Sequence, residues 1–191
     1  MNTWEQAQQW ESEWWGNASN SLYEELKQLT YASKMGLVRN PSAKTPYRFD
    51  LGGKSVLDIG GGPESLLLKC VNFKGKVVDP MKQPKWVLER YKEAGIEYEQ
   101  KKAEEIKEKA WDEVWIYNVL QHCEDPKKVI DNAKKAGKLV RVFDWINTPK
   151  SPGHINNLTE TQLDEYFGGV GKSEHLTEPP TIGWAYYGIF L

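Results

Sequence analysis

The chain has 191 residues, with 25 basic and 27 acidic side chains and a formal net charge of −2, which argues against a broad basic face for duplex DNA or bulk RNA. That length suits one domain with a real core and a small appendage. Two cysteines, Cys70 and Cys123, lack metal-like spacing, and the sequence shows neither a charged-then-apolar leader nor a long apolar run, so a soluble, cytoplasmic protein without disulfides is expected.

Residues from Thr3 to Met35 read as helix, with Leu22, Leu26 and Leu29 at helical spacing. Gly16-Asn17 divides this stretch in two, and Ser19-Asn20-Ser21 with Glu24 offers an N-cap and capping box. Trp10 and Trp14, one turn apart, share a face. Asn40-Pro41 through Thr45-Pro46 reads as a linker, because proline cannot continue a helix. Residues 1–48 are therefore expected to form a helical cap, and residues 49–191 the main domain.

Strands then alternate with helices. Strands are expected at Ser55–Ile59, Lys76–Val78, Ile96–Glu99, Glu113–Tyr117 and Leu139–Asp144, with a closing pair at Lys172–Leu176 and Trp184–Leu191. Helices are expected at Pro63–Cys70, Pro84–Ala94, Lys101–Ala110 and Asp125–Ala136, and from about Thr159 to Gly168. Such alternation makes a doubly covered, mostly parallel α/β sheet of the Rossmann-like kind.

Within that frame the first strand runs into Gly60-Gly61-Gly62-Pro63, and the second ends on Asp79 about twenty residues later. Glycines allow a sharp turn and close approach of a ligand. An acid at the end of the next strand can accept from both hydroxyls of a ribose. The dinucleotide pattern fails at three points: Ser65 stands where the third glycine belongs, Pro63 lacks an N–H, and Glu64 puts negative charge where a phosphate would sit. Asp58 suits a cationic group. A ligand with ribose, adenine and an ammonium but no phosphate fits best.

At these residues the chain resembles the class I S-adenosylmethionine-dependent methyltransferases, whose first motif is D/E-x-G-x-G-x-G. Asp58, Gly60 and Gly62 match, and Glu64 replaces the last glycine. The resemblance continues in order over residues 50–191. It implies a seven-stranded sheet whose last strand is antiparallel between the fifth and sixth, S-adenosylmethionine as cofactor and S-adenosylhomocysteine as product. It further implies a methionine end at Asp58, Gly60, Gly61 and Gly62, a ribose contact at Asp79 and an adenine border at Pro80 and Met81. Lys102-Ala103-Glu104 matches the adenine-reading step, with Lys102 in place of the usual acid, Glu104 as a substitute and Ala103 as a backbone contact. A solvated charged helix is an equal reading of that stretch. Asn118 and Val119 fall in the family's fourth motif, with Leu120 beneath the cofactor.

A hydroxyl acceptor usually needs a base, and histidine is suited to that role. Of the three histidines, His154 in the loop after the fifth strand is the first candidate and His122 the second; His175 lies in a closing strand. Asp144 is placed to orient His154 or bind substrate. Trp14, Trp15, Tyr23, Tyr31 and Trp145 are candidates for the acceptor wall, with the N-terminal helices either docked on the sheet or closing as a lid. His122-Cys123-Glu124-Asp125 lacks metal-ligand spacing, so no metal is expected. The implied activity is methyl transfer to a small molecule, at oxygen. Its rivals are a methyltransferase acting on protein or RNA, and a non-catalytic nucleoside-binding domain.

Overall fold

Side chains alternate across each strand, and that alternation divides the core in two. The computed structural model describes residues 3–41 and 48–191, so most of the expected linker lies outside the described residues. Helices α1 (Thr3–Trp15) and α2 (Ala18–Lys34) come first, followed by β1 (Phe49–Asp50), β2 (Ser55–Ile59), β3 (Cys70–Val71), β4 (Lys74–Asp79), α3 (Lys85–Glu93) and β5 (Ile96–Gln100). Then come β6 (Glu113–Tyr117), α4 (Pro126–Ala136), β7 (Val140–Trp145), α5 (Glu160–Phe167), β8 (Lys172–Leu176) and β9 (Gly183–Phe190).

The main sheet has the order β5-β4-β2-β6-β7-β9-β8. Neighbours from β5 to β7 are parallel, and β9 runs antiparallel to both β7 and β8. That is the expected seven-stranded topology. Leu57, Ile59, Val114 and Ile116 pack on one face with Val129, Ile130 and Ala133 of α4 and Leu163 of α5. Val56, Val77, Trp115 and Phe143 pack on the other with Tyr31 and Ala32 of α2, Met35 just after it, and Val87 and Tyr91 of α3. Because β2 has β4 on one side and β6 on the other, the chain leaves it in opposite directions and opens a crevice at the strands' carboxyl ends.

Several local expectations are corrected. The expected N-cap at Ser19–Ser21 lies earlier, at Asn17, whose extended backbone lets its side chain accept from Ser19 N at 2.9 Å. The expected helix Pro63–Cys70 is a single 3₁₀ turn, Leu66–Lys69. Its first amides are bound by tyrosines instead of a helical ladder: Ser65 N donates to Tyr91 Oη and Leu66 N to Tyr117 Oη. The chain then becomes extended at Cys70 to pair with Phe49, in a short β1–β3 ladder the sequence did not suggest. The expected helix Lys101–Ala110 is only a 3₁₀ turn at Ala103–Glu105, because Asn132 of α4 takes the carbonyls of Ala103 and Glu104. No helix among the described residues is long and apolar enough to cross a membrane.

Candidate functional site

The floor of the crevice is two loops in contact. Gly60, with φ +73°, follows β2, and a Cβ there would lie 2.5 Å from Val119 Cγ2 in the turn after β6. Only glycine lets the two loops meet. Gly61 is constrained from below, since its Cβ would lie 2.6 Å from Asp58 Oδ2.

Asp58 is fully enclosed, so it does not face the crevice as the expected ammonium contact would require. Its Oδ2 accepts from Ser65 Oγ and from Tyr117 Oη, and it braces the loop from beneath. Burial pushes its carboxyl up to about 7, and Oδ1 has no partner. Glu64 pairs with Arg90 of α3 at 3.0 Å, which turns the unexpected charge away from the loop.

Asp79, at the end of β4, has its side chain fixed at the crevice wall. Gly62 N donates to its Oδ2 at 3.1 Å and Met81 N to its Oδ1 at 2.8 Å. Burial raises its carboxyl to about 6. Each carboxylate oxygen keeps capacity for a further donor.

The cavity between these parts has about 640 Å³ of empty space, its open mouth included. Gly60, Asp79, Pro80, Met81, Ala103, Glu104, Asn118, Val119 and His122 line it. Lys102 also lines it, with its ammonium 3.6 Å from the Trp4 ring centroid and 3.1 Å from Glu124.

The roof is α1. Trp4, Gln8, Glu11 and Trp15 fall at helical spacing on one face and point into the cavity. Of the expected acceptor residues, Trp15 lines this space and Trp14 does not. Trp14 stacks on Trp10 at 5.3 Å, and a Cβ at Gly153 would touch Trp10 at 2.5 Å, so this second stripe rests on the loop after β7.

The remaining expected residues are more dispersed. Tyr23 is exposed and donates to Pro180 O. Tyr31 is buried, donates to Glu24 Oε1 at 2.7 Å and packs on Phe143 and Trp145. Asp144 neither orients His154 nor reaches the cavity. It is fully buried and accepts from Val119 N and Leu120 N, holding the turn after β6 in place. Burial raises its carboxyl to about 7.

The two histidines are brought together, with ring centroids 4.9 Å apart, but only His122 lines the cavity. His122 Nδ1 lies 2.7 Å from Gly153 O, which assigns the proton to Nδ1 and leaves Nε2 to accept from Gln121 at 3.1 Å. Burial lowers both imidazoles to about 4, so both are neutral near pH 7.

Glu104 Oε1 accepts from Glu124 N and Asp125 N at the start of α4, away from the expected adenine contact. Asn118 sits in the left-handed region at φ +57° and donates to Glu24 Oε1 at 3.0 Å. Cys123 Sγ donates to Val119 O, and Asp125 caps α4. Among the described residues no group of three or more histidines, cysteines or acids is placed to hold a metal ion.

Sequence reading placed Trp4, Trp10, Trp14 and Trp15 in a candidate lid, of which Trp4 and Trp15 line the cavity, but missed Gln8 and Glu11 beside them and the role of Glu24 under Asn118. The 4-8-11-15 spacing was available, but Gln8 and Glu11 are residue types that normally mark a solvated face.

No family model and no curated protein matches the sequence. Solved structures do match in fold. A SAM-dependent methyltransferase from Aquifex aeolicus is 17% identical, over 89% of this chain and 91% of that one, with TM-score 0.57. A chain of the complex between the Haloferax volcanii Trm112 methyltransferase activator and its methyltransferase is 10% identical, over 97% and 96%, with TM-score 0.65. The 1,6-didemethyltoxoflavin-N1-methyltransferase of Burkholderia thailandensis, solved with S-adenosylhomocysteine, is 14% identical, over 72% and 70%, with TM-score 0.56. The fold of this chain is that of the class I S-adenosylmethionine-dependent methyltransferases.

Proposed function

We propose that this protein is an S-adenosylmethionine-dependent methyltransferase acting on a small-molecule acceptor, with a hydroxyl as the favoured target. The observation that carries the reading is Asp79, fixed by two loop amides on the wall of a cavity between the turns after β2 and β6. A carboxylate held this way is ready for a ribose diol, and the cation beside the glycine loop, Arg90, is already taken by Glu64 and Pro63 O rather than offered to a pyrophosphate. Pro80, Met81 and the Ala103 backbone would border the adenine, and Asn118 and Val119 the methionine end. When bound, the cofactor supplies an electrophilic methyl group on a sulfonium.

The chain's own contribution is enclosure and alignment. Helix α1 covers part of the cavity and limits the access of water, and contacts shielded in this way are strengthened. Opening that roof is the route for substrate, and a narrow roofed site favours a small acceptor over a protein or RNA surface. Of the two candidate bases, His122 replaces His154 as first choice, because it alone of the pair lines the cavity. With its pKa near 4 it is a weak base, so alignment of the acceptor carries more of the rate than proton removal.

Calorimetric titration with S-adenosylmethionine and S-adenosylhomocysteine tests the reading. The expected result is micromolar binding, weakened at least about tenfold in Asp79→Ala by loss of charge-assisted hydrogen bonds. No binding of either compound by folded wild-type protein overturns it.

A further inference from the structure

Glu11 enters the cavity from the roof helix with its side chain 13% exposed. Around it, Trp15 of α1 hydrogen-bonds to its carboxylate, Glu24 of α2 faces it with like charge, and Asp79 of β4 feels its field. From the turn after β6, His122 Nδ1 lies 3.2 Å from Glu11 Oε1, but that imidazole is neutral and its N–H is also directed at Gly153 O. Lys102 is the one cation among the described lining residues, and it is held by Glu124 and the Trp4 ring. Lys27 of α2 is held in turn by Glu24, at 2.9 Å. A largely enclosed carboxylate facing two other acids therefore has no uncommitted counter-charge among the described residues that line the cavity, an arrangement that strongly disfavours ionisation.

We propose that Glu11 is a ligand-binding carboxylate whose missing counter-charge is supplied by the cofactor, so that the roof distinguishes the sulfonium form from the neutral thioether left after methyl transfer. This rests on the cofactor reading given above. Without ligand, Glu11 keeps a proton up to about pH 7, driven by desolvation with a smaller push from Glu24. A cationic occupant stabilises the ionised form, so binding near neutral pH displaces that proton. Below pH 7 the displacement opposes binding; above it the carboxylate is already ionised. Affinity for S-adenosylmethionine relative to S-adenosylhomocysteine thus rises between pH 6 and 8 and then levels. The reciprocal consequence is mechanical: α1 is held down more firmly over the charged cofactor than over the product.

The test is calorimetry at pH 6, 7 and 8, repeated at pH 6.5 in buffers of different ionisation enthalpy to count protons released. Wild-type protein is expected to release more protons with S-adenosylmethionine than with S-adenosylhomocysteine. Glu11→Gln is expected to abolish that excess and to lower the affinity ratio roughly tenfold, the scale of one charge-assisted contact. Equal proton release for the two ligands in wild-type protein, or an unchanged ratio in Glu11→Gln, overturns the proposal while leaving the cofactor reading standing. The proton count on wild-type protein does not depend on how the variant folds. Failure of folded wild-type protein to bind either ligand overturns the cofactor reading itself.

Discussion

Strand β2 buries Val56, Leu57 and Ile59 completely, whereas helix α2 leaves Leu22 59% and Leu26 56% exposed and buries Glu24 and Gln28. Both elements adjoin residues that line the cavity, β2 through Gly60 and α2 through the Glu24–Asn118 hydrogen bond, yet they follow opposite rules. In β2 the side chains answer to a core: apolar groups leave water, and the one acid, Asp58, is bound by Ser65 and Tyr117. In α2 the inward face answers to polar groups of neighbouring loops. Glu24 accepts from Tyr31 and Asn118 and pairs with Lys27, and Gln28 donates to Glu64 O. The end of α2 returns to ordinary behaviour, with Tyr31, Ala32 and the cap residue Met35 in the core. A helix beside a site is thus sorted by its partners, and its leucines are left outside where those partners are hydrogen-bonding groups.

Substitutions test how deep this contrast runs. Leu57→Ala should have the largest effect, destabilising the fold by about 2–5 kcal/mol in urea denaturation, because it opens a cavity in a closed core. Glu24→Ala should be intermediate, at about 1–3 kcal/mol, since it strands the buried Tyr31 hydroxyl and one N–H of Asn118. Leu26→Ser should be smallest, within about 0.5 kcal/mol of wild type, because the side chain already faces water. A loss at Leu26 comparable to that at Leu57 would erase the contrast and show that this stripe is covered in solution. A negligible effect at Glu24 would show that the buried polar face contributes no stability.

Much of the fold was legible because its signals are short-range. Short apolar runs marked β2 and β6 to the residue, Pro126 and Gly137 bounded α4, and the αL glycine Gly168 ended α5. The glycine loop and Asp79 were legible as a pair because strand ends converge at the switch point whatever the side chains around them. The failures share one cause. Pro63–Cys70 and Lys101–Ala110 carry helix-like composition, but Tyr91, Tyr117 and Asn132 take their backbone groups, and these partners lie 26 to 51 residues away. Asp144 read as an active-end acid because it ends a strand; its role under Val119 and Leu120 depends on how the turn after β6 folds back.

The sequence by itself determined the seven strands of the main sheet, the helices α3 to α5 between them and the pocket end of that sheet, because hydrophobic period, capping residues and glycine turns act within a few residues of chain. Only the tertiary structure decided which face of α1 roofs the cavity, which histidine reaches it, and that Asp58 and Asp144 are braces while Glu11 and Glu24 turn inward. Those outcomes depend on burial and on hydrogen-bond partners far away in the chain. A carboxylate has the same chemistry in either setting until the surrounding fold removes its water.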